Sequence, residues 1–347
     1  MQSPIGGPRF WRRLVSRWWR PVERMQREWN ERAQTDPQGY IGRGYAASDA
    51  RFWASGGPDL EGLILDGLDL DPRAAVLEIG CGVGRLLRPL AARAARVIGV
   101  DIAPAMVDQG RRLLADLPHV SLHVTQGRFD AIADASLDLV YSFAVFQHIP
   151  AKSVIAGYVD EAARVLRSGG VLKIQVDGRR RPFWRGSDTW LGAWYTPEEI
   201  RAVLDRRGFD VADTWGEGTQ YFWITAVRRM VASRTATDSV QVRPVQWRET
   251  ALAALLTRLG QSPATALPDI LAGRATLRGQ TGRFLRQNRG AADATFVAAA
   301  FAALLGRPAD AEGLSFYTAE LARGASRAYV LDCLLASAEL RRQLRTA

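Results

Sequence analysis

The chain has 347 residues, enough for one large and one smaller domain with a real apolar core, and its two cysteines, Cys81 and Cys333, exclude a disulfide framework or a cysteine-built zinc site. Lysines and arginines number 46 against 36 aspartates and glutamates, a net charge of +10. Only Lys152 and Lys173 are lysines, and arginine at this density favours phosphate, carboxylate or anionic-lipid partners while equally describing an arginine-rich proteome.

Residues 1–45 read as a basic amphipathic segment. In FWRRLVSRWWRPV (10–22), Phe10, Trp11, Leu14, Val15, Trp18, Trp19 and Val22 share one helix face, with Arg12, Arg13, Arg17 and Arg20 between them. Such a face either lies in a membrane interface or packs as a lid on the substrate side of the next domain. No apolar run is long enough to span a bilayer and residues 1–20 lack a signal-peptide core, so the expected location is cytoplasmic, with peripheral contact at the inner membrane face left open.

Residues 46–231 alternate strand and helix. Strands are predicted at Ala74–Ile79, Arg96–Val100, Val120–Val124, Leu137–Phe143 and Val171–Val176, with helices at Arg85–Ala95, Met106–Leu114 and Val154–Leu166 and a turn at Ser168-Gly169-Gly170. Helix-length spacers between strands point to an α/β fold with a parallel sheet covered on both faces. After a helix at Pro197–Arg207, GFDVADTW and QYFWITAV follow without a helix between them, so the last strand runs antiparallel. From about Ala232 the chain turns alanine- and leucine-rich and helical, read as a linker region over 232–285 and a small helical domain over 286–347. Two stretches, 254–273 and 302–324, share a faint Leu-Leu, Leu-Gly, Pro-Ala, Leu-Ala pattern that fits a duplication or chance.

The stretch VLEIGCGVGR (76–85) ends a strand in Gly80, Gly82 and Gly84, one residue short of the G-x-G-x-x-G spacing of a dinucleotide site. Glu78, two residues before the first glycine, is poorly placed beside a pyrophosphate and well placed beside an ammonium group. The turn and the following helix N-terminus suit a ligand carboxylate. Asp101, closing the second strand, can accept both hydroxyls of a ribose, and Ile102 can pack on a purine face. The ligand implied is a nucleoside carrying an amino acid, and a nicotinamide oxidoreductase is disfavoured.

These residues, Glu78-Ile-Gly80-Cys-Gly82-Val-Gly84 followed by Asp101, with SLDLVYSFAVFQHIP (136–150) and ARVLRSGGVLKI (163–174), resemble the motifs of class I S-adenosylmethionine-dependent methyltransferases over residues 70–227. The resemblance implies a Rossmann-like seven-stranded sheet with an antiparallel last strand, an all-helical C-terminal domain beside it, and S-adenosylmethionine as cofactor. It implies that Gly80, Cys81, Gly82 and Gly84 line the methionine part, Asp101 the ribose, and Gly127, Arg128 and Phe129 the adenine edge, with either Phe129 or Asp130 at the adenine amino group. Ser142 and Phe143 would face the sulfonium, and no metal is expected.

A methyl group on a sulfonium is already electrophilic, so the chief need is an acceptor held in line. His148, in FQHIP, is the candidate base for a hydroxyl acceptor, against a structural role bonded to backbone. In GRRRPFWRGSDTWLGAW (178–194), Arg179, Arg180, Arg181 and Arg185 interleave with Trp184, Trp190 and Trp194, read either as a substrate loop for sugars or acidic ligands or as a solvated run. The fourth-strand motif is not of the kind that grips a nucleobase amine, so nucleic acid is disfavoured. The segment LGRPADAEGLSFY with SRAYVLDCLLASAEL (305–340) resembles a small helical bacterial domain of unknown function that recurs beside glycan-assembly enzymes, and its expected role is docking to a membrane surface or protein partner. The function expected is methyl transfer to a saccharide or other polar small molecule, at oxygen; the alternative is a non-catalytic cofactor-binding scaffold.

Overall fold

The computed structural model describes residues 21–35, 50–181 and 189–346. The amphipathic face over 10–20, and Trp184 and Arg185 of the arginine-tryptophan loop, lie outside the described residues. The chain opens with α1 (Pro21–Thr35), α2 (Ala50–Ala54), α3 (Gly56–Asp59), a π-helical turn over Leu60–Ile64 and β1 (Leu68–Leu70). The α/β part follows as β2 (Ala75–Ile79), α4 (Leu87–Leu90), β3 (Arg96–Asp101), α5 (Pro104–Leu113), β4 (Val120–Val124), β5 (Leu137–Ser142), α6 (Lys152–Val165), β6 (Leu166–Val176), α7 (Pro197–Asp205), β7 (Phe209–Trp215) and β8 (Phe222–Arg228). Short strands β9 (Val240–Val242) and β10 (Gln246–Trp247) lead to α8 (Glu249–Arg258), α9 (Pro263–Leu271), α10 (Gly282–Gln287), α11 (Asp293–Leu305), α12 (Ala311–Ala322), α13 (Arg327–Leu335), α14 (Ala338–Leu344) and β11 (Arg345–Thr346).

Seven strands form the central sheet in the order β4-β3-β2-β5-β6-β8-β7. All neighbouring pairs from β4 to β6 are parallel, and β8 enters antiparallel between β6 and β7. The central strands are buried because both faces are covered: all five residues of β2 and all six of β5 are buried. Side chains alternate between the faces. Leu77, Val140, Leu172 and Ile174 pack with Ile155 and Val159 of α6 and Ile200 and Leu204 of α7. Val76, Leu139, Tyr141 and Val171 instead share a core with Leu252 and Leu255 of α8, Phe296 and Phe301 of α11, and Leu340 of α14. The C-terminal helices therefore close one face of the sheet.

Three local expectations differ from the structure. The helix read at Arg85–Ala95 shrinks to Leu87–Leu90, because Pro89 has no N–H to bond the carbonyl of Arg85 and its ring crowds the preceding turn. The turn read at Ser168–Gly170 is carried inside β6, where the pairing with β5 shifts register between Leu137 and Leu139. The segment after Ala232 is extended before it is helical: β9 pairs with β1 and β10 with β11, and helix resumes only at Glu249. The stretches 254–273 and 302–324 both run helix, Leu-Gly, helix, Gly, so the shared sequence pattern has a shared course.

A buried ion cluster holds the C-terminal end to the sheet. Arg341 of α14 pairs with Asp66 at 2.7 Å and with Asp213 of β7 at 2.8 Å, and Arg345 pairs with Asp213 at 2.7 Å. The Arg345 guanidinium also sits over Trp215 and Trp247, 4.9 and 4.2 Å from the ring centroids. Asp213→Ala leaves two arginines, 8% and 11% exposed, without their shared carboxylate. The expected cost is roughly 3–5 kcal/mol, read from the urea midpoint. Glu61→Ala, removing the partner of the exposed Arg93, is expected to cost less than about 1 kcal/mol. Equal midpoints for the two variants would refute the clamp.

Candidate functional site

At the carboxyl ends of the parallel strands, where ligands of such sheets bind, β2 delivers Glu78 and β3 delivers Asp101. In the register, Glu78 lies opposite Gly99 of β3 and Tyr141 of β5. The chain then turns sharply: the Gly80 N–H donates to Val100 O at 2.7 Å with Gly80 at φ +76°, and a Cβ there would come within 2.3 Å of Val145. Only glycine fits both the conformation and the space. The Asp101 carboxylate accepts the N–H of Gly82 at 2.8 Å and of Ala103 at 2.9 Å, which folds the glycine turn around it. Glu78 accepts the Tyr141 hydroxyl at 3.0 Å.

Both acids are buried, Glu78 at 3% and Asp101 at 9% exposure. Burial pushes Glu78 up to about 8, against the Tyr141 hydrogen bond and the charge of Arg85. Burial likewise raises Asp101, against the backbone N–H groups of Ala103 and Gly82. Two desolvated carboxyls above their usual range are acceptors in want of donors. An ammonium at Glu78 and vicinal hydroxyls at Asp101 are such donors, so the residues present fit the amino-acid and ribose ends of S-adenosylmethionine. Cys81, between them, is buried with its thiol pushed well above the ordinary range by burial, which makes it packing rather than a nucleophile. Among the described residues no cluster could hold a metal ion.

These groups open on a cavity of about 1240 Å³. Glu78, Gly80, Cys81, Gly82, Asp101, Ile102, Phe143 and His148 line it. Gly84, Gly127, Arg128, Phe129 and Ser142 do not. Gly84 makes room for Leu114, whose Cδ1 would lie 2.4 Å from a Cβ there. Ser142 is fully buried and its hydroxyl donates to Ile79 O at 2.9 Å. Phe129 is a core residue against Tyr158, its N–H bonded to Glu161 at 2.7 Å. Arg128 and Asp130 pair with each other in solvent, so neither side chain stands at the cavity wall. Thr125, Met106 and Tyr158 line it instead; that Met106 and Thr125 follow β3 and β4 closely in the chain is the signal that could have found them.

Helix α1 covers one side. Met25 and Trp29 reach the cavity and Met25 and Ala33 are buried, an i, i+4, i+8 stripe visible in the sequence but missed. Its polar residues tie it down beside Asp101: Gln26 donates to Ile102 O at 3.1 Å, and Asn30 accepts the Ala105 N–H at 3.0 Å. Trp29 meets the His148 ring edge-on at 5.5 Å, and Trp190 lies against its other side at 5.3 Å. Arg32 stacks over Trp29 at 4.6 Å. Both nitrogens of His148 are engaged. Nδ1 faces Trp190 O at 2.8 Å and must be the N–H, which leaves Nε2 to accept from the Gln147 amide at 3.1 Å. Gln147 in turn accepts from Gln175, also bonded to the Ala144 N–H.

The arginine-tryptophan loop is drawn inward at its base, since Arg179 and Arg181 both pair with the buried Asp177, at 2.9 and 3.1 Å. Arg179 and Trp190 reach the cavity. Three aromatic residues of the C-terminal helices, Phe316, Tyr317 and Tyr329, line it as well, a contribution that an expected docking role did not anticipate.

Residues 76–170 match a family model described as "Methyltransferase domain", and residues 283–344 match "Domain of unknown function (DUF4214)". A probable S-adenosylmethionine-dependent methyltransferase of Mycolicibacterium smegmatis is 37% identical over 41% of this chain and 54% of its own length. The 2-methyl-6-phytyl-1,4-hydroquinone methyltransferase of Synechocystis is 32% identical over 40% of this chain and 42% of its own. The chain thus spans about half the length of the curated relatives it matches. Among solved structures, phosphoethanolamine N-methyltransferase 1 of Haemonchus contortus superposes over 63% of this chain and 51% of its own, with a TM-score of 0.48 and 15% identity. Glu78, the glycine turn and Asp101 lie inside the segment 76–170, the part of the chain that matches the methyltransferase-domain model, and S-adenosylmethionine-dependent methyltransferases are among the relatives it is similar to.

Proposed function

We propose that the chain transfers a methyl group from S-adenosylmethionine to a hydroxyl of a saccharide or another polar small molecule. The observation that carries this reading is the pairing of two buried acids at one glycine turn with a cavity that extends well past them. At about 1240 Å³ the cavity exceeds the roughly 300–1,000 Å³ of a site for one drug-sized ligand. Its walls mix aromatic faces, Phe143 and Trp223 stacked at 5.5 Å among them, with polar groups such as Gln220 and Arg179. Aromatic faces with polar edges suit a sugar ring.

When bound, S-adenosylmethionine supplies the electrophilic methyl. The protein's task is to hold the nucleoside at Asp101 and the amino group at Glu78, to bring the acceptor in line, and to exclude water. We assign His148 a positioning role. To take a proton at Nε2 it must give up the Gln147 amide, whereas as it stands it links α1, the 3₁₀ turn at Phe146–His148 and Trp190 across the cavity mouth.

Asp101→Ala removes a carboxylate that would accept ribose hydroxyls, so affinity for S-adenosylhomocysteine is expected to fall by about 10- to 150-fold in calorimetry, the equivalent of roughly 1.5–3 kcal/mol. Unchanged affinity, or binding of NAD in its place, defeats the assignment of the turn. Because Glu78 titrates near 8 when the site is free, at pH 7 it holds about 0.9 proton, and an ammonium beside it favours the ionised form. Binding should release that proton, seen as a dependence of the calorimetric heat on buffer ionisation enthalpy that Glu78→Gln abolishes. A wild-type heat independent of buffer contradicts the pairing. For His148→Ala, turnover is expected to drop by less than about tenfold with the pH profile unmoved. A loss of about 100-fold or more together with disappearance of a pH limb near neutrality, within the range of a general base, would make it the base.

A further inference from the structure

The C-terminal helical domain reaches the catalytic cavity, and the way it is anchored makes it part of the site. Helix α12 brings Phe316 and Tyr317, in edge-on contact at 5.1 Å, to the cavity that Glu78 and Asp101 open on. Helix α13 brings Tyr329, placed one turn past its N-cap, where Ser326 accepts the Tyr329 N–H at 3.1 Å. Buried charge fastens α13 within the C-terminal region and α14 and β11 to the sheet. Asp332 of α13, 1% exposed, pairs with Arg278, and Arg341 and Arg345 hold α14 and β11 to Asp66 and Asp213. Tyr317 also packs on Phe301 of α11, whose own ring belongs to the core shared with the sheet.

We propose that this domain is the acceptor-binding half of the methyltransferase site, its Phe316, Tyr317 and Tyr329 forming an aromatic platform for the ring of a saccharide acceptor. The proposal rests on the methyl-transfer reading above and adds which part of the chain selects the acceptor. Two features carry it. The first is volume: the cavity extends past the acids and the glycine turn, and α12, α13 and the strand-end aromatics Phe143 and Trp223 supply part of its remaining wall, beside α1, His148 and Trp190. The second is chemistry: around the C-terminal aromatics the wall is set with Glu320, Arg323, Ser326 and Ser337. A polyhydroxylated ring offers both an apolar face for the aromatics and hydroxyls for those groups.

The test uses the full chain saturated with S-adenosylhomocysteine and the probes methyl α-glucopyranoside, methyl α-galactopyranoside, methyl α-rhamnopyranoside and catechol, with binding read by saturation-transfer NMR and calorimetry. At least one glycoside is expected to bind the wild type and catechol to bind none or less tightly. Phe316→Ala and Tyr329→Ala should each weaken that glycoside at least tenfold, and Tyr329→Phe by less than twofold, with affinity for S-adenosylhomocysteine within twofold of wild type throughout. Ala325→Trp, which adds bulk to the same wall and removes none of its packing, should block the glycoside even if an alanine variant fails to fold. Glycoside affinity unchanged across Phe316→Ala, Tyr329→Ala and Ala325→Trp overturns the platform. Catechol bound in preference to every glycoside overturns the saccharide. A wild type that binds no S-adenosylhomocysteine fells the methyl-transfer reading itself, an outcome separable from the other two.

Discussion

Asp213 is the hinge on which the architecture turns. One carboxylate at 11% side-chain exposure accepts two arginines from the last turn of the chain, and a second carboxylate, Asp66, shares one of them. Isolated buried charge is costly, so this cluster is stable only as a set. The set can form only if α14 and β11 lie against β7 and the turn before β1. Lys173, on the same sheet face, is fully buried, donates to Asp66 O at 2.6 Å and is pushed down to about 7 by burial, with Arg341 adding to the shift and Asp66 and Asp213 opposing it. A lysine whose folded pKa lies below its unfolded one gains stability as pH rises from about 7 toward its unfolded value. Burial thus weakens the positive charge that Lys173 adds beside Arg341, and the cluster fixes where α14 and β11 dock.

Against that fixed frame, the acids of the site are held in a state that folding alone does not favour. Glu78 and Asp101 are as buried as the leucines around them, and their raised pKa values measure unsolvated charge. The turn that creates this situation is built from residues with no alternative: Gly80 has no room for a Cβ, and the Gly82 N–H is committed to Asp101. Local structure thus spends stability to present two acceptors, a pattern expected where a ligand supplies the missing donors.

Much of this was legible in the residues. The alternating strands and helices, the antiparallel β8 and the turn between Glu78 and Asp101 are local patterns, carried by apolar runs and glycine spacing that need no knowledge of the rest of the chain. What escaped was non-local. Phe129, Ser142 and Gly84 stand at the expected places in the chain, yet packing against Tyr158, Ile79 and Leu114 turns them away from the cavity. The extended course from Ala232 to Trp247 was hidden because β9 and β10 are three and two residues long and acquire their partners only when β1 and β11 arrive from distant parts of the chain.

The ends of the chain illustrate the same point most sharply. In the sequence, the N-terminal basic segment and the helical tail look like appendages to a complete α/β unit. In the fold, a parallel sheet presents its ligand turns at one edge, and that edge is open until something covers it. Helix α1 covers it beside Asp101 through Gln26, Asn30 and Trp29, and α12 and α13 cover it beyond the glycine turn. His148 and Trp190 bridge between α1 and the loop after β6, so the mouth is framed by aromatic contacts together with the bond from His148 to the Trp190 carbonyl. An enclosed site of this size cannot be made by residues 76–170 alone, because those residues supply the floor and only part of the wall. The elements that appeared peripheral are therefore what extends the glycine turn with its two acids into a cavity of about 1240 Å³.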